Sequence, residues 1–267
     1  MRIELHCHSL RSDGALAPAE VATRAVARGV QLFALTEHDT CAGTADAHVA
    51  TAQNVRAVEI SCDENGATVH LLAFDTGGDW AALEDRLAAV RAARVSRLRK
   101  MAARLTQRGI TVDIEALVER SDGRAVGRPD LARALVAQGV VRTMKEAFSR
   151  HLYDGGPVDV PHEGLSVQDA VASATAAGAR VSLAHPHLYA ERTIPLLRKH
   201  RDAGLGGIEA HYGHYDAGER ARWREVARKH DLIETGGSDF HAPGDPELGV
   251  DVPDEVATAL GAWLRLP

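Results

Sequence analysis

The chain has 267 residues, 45% of them apolar and 25% charged, and a net charge of −6. Those values exclude a disordered chain or a collagen-like repeat and allow one large α/β unit or a core with an insertion. Aromatics at 4% and the acidic balance argue against a protein that coats nucleic acid, and no apolar run approaches the ~20 residues of a membrane span, so neither a membrane nor a stable nucleic-acid partner is expected.

The first segment, MRIELHCHS, has no apolar stretch of the kind a secretory signal needs. Cys7, Cys41 and Cys62 form no CxxC pair, which fits a reducing compartment, and a cytoplasmic location is expected. Residues 2–8 read as a strand. Side chains two apart on a strand share a face, so His6 and His8 can address one point. Asp13 follows in SDG, a turn, with Arg11 beside it and able to meet a phosphate. A helix is predicted over 18–28. The second strand, 32–39, carries His38 near its end. Strands at 55–61 and 68–74 hold Glu59 and His70, and the DENG between them predicts a hairpin.

The strand–helix rhythm then breaks. Leu83, Leu87, Val90, Leu98, Met101 and Leu105 recur near the helical period, and shorter helices are predicted at 128–138 and 143–151. Residues 79–160 therefore read as a helical insertion, a substrate cap, between barrel segments 1–78 and 161–267. Residues 86–150 hold 15 Lys and Arg against 6 Asp and Glu, whereas the remainder holds 16 against 31. A basic segment on an acidic body is either a solvated helical face or a positive cover over a site for an anion. Pro129 suits the first position of a helix, which would make Arg128 its N-cap. Arginine caps poorly, so its side chain is free for a bidentate phosphate contact.

The rhythm resumes with strands at 180–186, 206–212 and 232–241 and helices at 191–202, 216–230 and 253–265. His185 closes the first of these strands. His211 and His214 follow the second, where they could touch substrate or protonate a leaving group. Asp239 and His241 close the third. His48, His200 and His230 fall in helical patterns and are expected on the surface, while His151, His162 and His187 have no assigned role. Alternating strands and helices predict an α/β sheet or barrel.

Any one of these polar residues could be a satisfied side chain at a strand end. Together, His6, His8, Asp13, His38, Glu59, His70, His185, Asp239 and His241 gather at strand ends and adjoining turns, where α/β folds place their sites. Six imidazoles and three carboxylates can hold two or three divalent ions and suit Mn, Zn or Fe. Such a centre stays positive, attracts a phosphate ester and activates water. The chain has no GxSxG elbow, phosphate loop or dinucleotide fingerprint.

HCHS at 6–9, SDG at 12–14, TEHD at 36–39, Glu59 before a hairpin, LAHP at 183–186 and GSDFH at 237–241 resemble the PHP (polymerase and histidinol phosphatase) family, in order and over nearly the whole chain. The resemblance implies a distorted seven-stranded (β/α) barrel with a helical insertion and a trinuclear metal centre. It implies one site from His6, His8, Glu59 and Asp239, a second from Glu59, His70 and His185, and a third from Asp13, His38 and His241. Glu59 then bridges, and Glu59 and Asp239 are the expected catalytic carboxylates. Within the family the chain most resembles bacterial 3′,5′-nucleoside bisphosphate phosphatases and related enzymes that trim 5′ ends of short RNA. Arg128 matches their insertion arginine. Two departures stand out: Glu37 where the family usually has Asp, and GGPVDVP at 155–161 without a lysine before the last proline. The expected partner is a small phosphorylated substrate, a nucleotide. The rivals are a phosphatase of another metabolite, such as histidinol phosphate or a cyclic phosphate, and a non-catalytic metal-binding accessory domain, which typically loses ligands.

Overall fold

The computed structural model describes residues 1–121, 124–161 and 164–266. Its elements run β1 (Arg2–Glu4), α1 (Pro18–Ala27), β2 (Leu32–Phe33), β3 (Gln53–Asn54), β4 (Ala57–Glu64), β5 (Ala67–Asp75) and α2 (Ala81–Thr106), then α3 (Ile114–Arg120), α4 (Arg128–Ala137) and α5 (Met144–Arg150). They continue with β6 (Leu165–Ser166), α6 (Val167–Ala176), β7 (Ala179–Leu183), α7 (Thr193–His200), β8 (Leu205–Tyr212), α8 (Ala217–Lys229), β9 (Ile233–Gly237), β10 (Val250–Asp251) and α9 (Asp254–Trp263).

Two ladders, β10-β1-β2-β3 and β6-β4-β5-β7-β8-β9, close on each other through the chain just beyond their short strands. Leu5 N donates to Gly236 O at 3.1 Å, Asp239 N to His6 O at 2.7 Å and His8 N to Phe240 O at 2.9 Å. On the other seam Glu59 N donates to Glu37 O at 3.1 Å and Asp39 N to Glu59 O at 2.9 Å. The ring is therefore β1, β2, β4, β5, β7, β8, β9, a seven-stranded distorted barrel. Every neighbouring pair is parallel except those of β5, which runs opposite to β4 and β7. The β4–β5 hairpin turns at Asn65 and Gly66, both with positive φ (56° and 83°), the two-residue geometry whose twist matches that of the strands.

Close approach at the β1–β9 seam needs glycine. A Cβ on Gly237 would lie 2.4 Å from His6 N, so the glycines of GGSDFH let the two strands that carry His6 and Asp239 meet. The buried Glu4 carboxylate ties the same seam, accepting from His6 N (3.1 Å), Ser238 N (3.0 Å), Ser238 Oγ (2.7 Å) and Gly249 N (2.7 Å).

Helix α2 begins on the barrel, where Leu83 and Leu87 share a core with strand residues and α6. From Leu98 onward its apolar face packs instead with α3, α4 and α5. Gly127, not Arg128, caps α4; Asp130 accepts from Gly127 N at 2.8 Å, and Arg128 is the first helical residue. Strands β1 and β2 are shorter than their alternation suggested because their pairing passes to new partners at the seams. Among the described residues no helix is long and apolar enough to cross a membrane.

Candidate metal centre

All nine expected ligands converge at one end of the barrel. His6 Nε2 lies 3.4 Å from Glu59 Oε2 and 3.2 Å from Asp239 Oδ1, and His8 Nε2 lies 3.3 and 3.2 Å from the same two atoms. On the other oxygen of Glu59, His70 Nδ1 stands at 2.9 Å and His185 Nε2 at 3.1 Å, with 3.3 Å between the two nitrogens. Asp13 forms a third focus, with His241 Nε2 at 3.3 Å and His38 Nε2 at 3.6 Å. His38 Nδ1 also faces Glu59 Oε2, at 3.1 Å. His70 joins although it sits early in its strand, because β5 alone runs backwards and its start faces the same barrel end as the other strands' finishes.

Three buried ring nitrogens, His6 Nε2, His8 Nε2 and His38 Nδ1, have no hydrogen-bond partner. Each is aimed at Glu59. Buried polar atoms without partners are costly, and a cation held between these nitrogens and the carboxylates removes that cost. The donor set therefore fits divalent ions. Electrostatics agree. Burial pushes Glu59, Asp13 and Asp239 upward, yet the surrounding imidazoles hold all three below the usual carboxylate range. Burial disfavours charge on His8, but the nearby carboxylates of Asp239 and Glu59 raise it to about 10. At His38 burial wins, and its pKa falls well below the usual value. Three buried carboxylates held ionised among six imidazoles make a site for cations.

Supporting residues hold the turns. Glu37 accepts from Ser9 N at 3.0 Å and from the hydroxyls of Ser9 and Ser12. It thus braces the turn that presents Asp13. Tyr212 Oη donates to Asp239 Oδ2 at 2.8 Å, leaving Oδ1 to face His6 and His8.

Beside the cluster two adjoining cavities, of about 160 and 470 Å³, share Thr68, His70, Arg97 and Arg128 in their walls. Four arginines border them, Arg192 in the larger cavity alone. Arg94 is locked by Asp39 Oδ2 (2.7 Å), Ser61 Oγ (2.8 Å) and Val126 O (2.9 Å). Arg97 binds Asp159 at 3.1 Å, and Arg128 binds Asp154 and Leu152 O. Arg128 is therefore in the cleft but not free, as its place before Pro129 had suggested. Sequence reasoning missed Arg94 and Arg97, whose three-residue spacing on α2 was the available signal.

Three expected substrate contacts lie elsewhere. Arg11 turns to Asp46 at 3.2 Å and lines a different groove. A register shift between Glu209 and His211 breaks the alternation of β8, so Glu209 faces His6 while His211 pairs with Glu234 at 2.8 Å. His214 is exposed and lies, tilted, against Tyr212 rather than on the cluster. His187, without a role from sequence, puts Nδ1 2.9 Å from Tyr215 Oη, and His162 lies outside the described residues. His200 is fully buried rather than on the surface, with Nδ1 3.1 Å from Gln168 Oε1.

A barrel of this topology with such a cluster at the strand ends defines a metal-dependent hydrolase of phosphate esters. No family model matches the chain. Over 251 residues it is 36% identical to a 3′,5′-nucleoside bisphosphate phosphatase of Chromobacterium violaceum, covering 91% of this chain and 88% of that one. It is 32% identical to a 5′-3′ exoribonuclease of Haemophilus influenzae, covering 98% of each. A solved structure assigned as a metal-dependent phosphoesterase of Bifidobacterium adolescentis matches with a TM-score of 0.84 at 28% identity, over 97% of this chain and 95% of that one. The chain belongs to the PHP family of metal-dependent phosphoesterases.

Proposed function

We propose that the enzyme removes one phosphate from a 3′,5′-nucleoside bisphosphate. The observation that carries this reading is the pairing, in one cleft, of the nine-residue cluster with Arg97 and Arg128, two stations for two anionic groups. The phosphatase relative supports the substrate class. His6, His8, Glu59 and Asp239 would hold one ion, Glu59, His70 and His185 a second, and Asp13, His38 and His241 a third, with Mn, Zn or Fe suited to these donors. Ions held there supply Lewis-acid chemistry, polarising a phosphoryl oxygen and making water nucleophilic near neutral pH.

The chain's own residues do the positioning. Glu59 shares its two oxygens between two groups of imidazoles. Arg97 and Arg128, on the helical segment that we read as a cap, receive the second phosphate once it displaces Asp159 and Asp154. Arg94, anchored on Asp39 and Ser61, keeps the wall between cap and cluster positive. Binding at both ends fixes the scissile ester at the cluster, which lowers the entropic part of the barrier. Three free cysteines fit a cytoplasmic enzyme.

Initial hydrolysis rates on a 3′,5′-bisphosphate, the matching 5′-monophosphate, histidinol phosphate, a cyclic phosphate and a short 5′-phosphorylated RNA test the proposal, with inorganic phosphate, the ring-opened monoester or the released nucleotide followed according to the substrate. The bisphosphate should give the highest kcat/KM. Equal values for the monophosphate, or preference for any other substrate, would reject it.

A further inference from the structure

Strand β8 carries a carboxylate that none of the three ligand groups includes. Glu209 is fully buried. Its Oε1 lies 2.9 Å from His6 Nδ1, and its Oε2 accepts the backbone N–H of His185 at 2.7 Å. These are the two sides of the cluster. His6 presents its other nitrogen to Glu59 and Asp239, and His185 presents its Nε2 to Glu59 and His70.

The proton count makes the first contact directional. A neutral imidazole donates from one nitrogen and offers a lone pair at the other. With Nδ1 turned to the Glu209 carboxylate, a neutral His6 carries its proton there and, when a cation is bound, offers its Nε2 lone pair on the side of Glu59 and Asp239. The second contact is conformational. His185 has φ 27° and ψ 63°, in the left-handed region that non-glycine residues seldom occupy. Its N–H bond to Glu209 helps to hold that backbone and so aims the ring.

We propose that Glu209 is a positioning residue that sets both flanking metal sites at once, through the tautomer of His6 and the backbone of His185. This rests on the metal centre of the preceding section. Only a carboxylate can accept at both ends. In Glu209→Gln one acceptor remains. If its oxygen keeps the His185 N–H, its amide donates to His6 Nδ1, and the ring proton moves to Nε2, removing the lone pair. If the amide flips, two N–H donors meet at His185.

Zinc alone is a sufficient probe. Calorimetric titration of metal-free wild type, Glu209→Gln and Glu209→Ala should show one flanking site weakened in the Gln variant, which keeps one acceptor, and both weakened in the Ala variant, which keeps none, each by about 10–100-fold, the usual effect of losing a partner of a ligating histidine. Equal affinity in all three proteins, or weakening confined to one site in Glu209→Ala, overturns the proposal while leaving the metal centre standing. A wild type that binds no zinc overturns both. A second measurement does not depend on the variants' folding: long-range ¹H–¹⁵N spectra of the zinc-loaded wild type should place the His6 proton on Nδ1. A proton on Nε2 contradicts the proposal.

Discussion

Arg128→Lys separates a phosphate grip from a surface charge. The side chain is 21% exposed and bonds through Nη1 to Asp154, whose own side chain is 82% exposed. An ion pair so open to water contributes at most about 1 kcal/mol. Lysine keeps the charge, so the change in stability should stay below that, a shift in Tm of no more than about 2–4 °C for a chain of this size. Kinetics should respond more strongly. A guanidinium can hold two phosphate oxygens at once, whereas an ammonium is a point charge. Losing one charge-assisted hydrogen bond costs about 1.5–3 kcal/mol, or about 10- to 150-fold in kcat/KM. The loss should fall on the bisphosphate and largely spare the 5′-monophosphate, which has no second phosphate for the cap. Asp154→Asn should act in the opposite sense, lowering KM for the bisphosphate by releasing Arg128. Steady-state kinetics on both substrates, with metal content measured on the same samples, gives the answer. Unchanged kcat/KM for the bisphosphate in Arg128→Lys at full metal occupancy would remove Arg128 from the site.

Glu59→Gln keeps the shape but removes the one charge facing five imidazoles, so the purified variant should lose at least one ion and most of its turnover; wild-type metal content and rate would make Glu59 merely structural. His200 tests the pH dependence of stability outside the metal centre. Burial lowers its pKa below 6.5, opposed by nearby Glu64, with Lys199 adding to the lowering. The unfolded chain then takes up this proton at a higher pH than the folded one, so the stabilisation is complete above 6.5 and is lost as pH falls toward the lower folded pKa. Urea unfolding of wild type and His200→Gln should show the wild type losing more stability between pH 8 and pH 5.5; parallel losses would mean that His200 does not titrate as the fold requires.

The gathering of the nine polar residues was legible in the sequence because they sit at strand ends, where two-residue alternation and turn motifs are both visible. His6 with His8, and Asp239 with His241, are such pairs. The hairpin was legible from Asn65 and Gly66, and with it the reversed strand that carries His70. Less visible were features that depend on tertiary pairing. The bulge in β8 puts Glu209 and His211 on different faces, and no local pattern announces it. Arg11 is turned outward by Asp46, a partner 35 positions away. Arg94 and Arg97 read like any solvated helical face until α2 is laid over the barrel. Helix α6, rich in alanine, has too few large apolar residues for a strong period, and β3, β6 and β10 are two residues long.

Metal content and phosphate release measured on one sample test the central claim most directly. The protein is stripped with a chelator and then titrated with Mn, Zn or Fe(II), while bound metal per chain and kcat/KM for a 3′,5′-bisphosphate are followed together. The structure predicts no hydrolysis in the stripped protein and activity that rises with occupancy to a plateau at two or three ions per chain. A stripped protein that retains full activity would contradict the account.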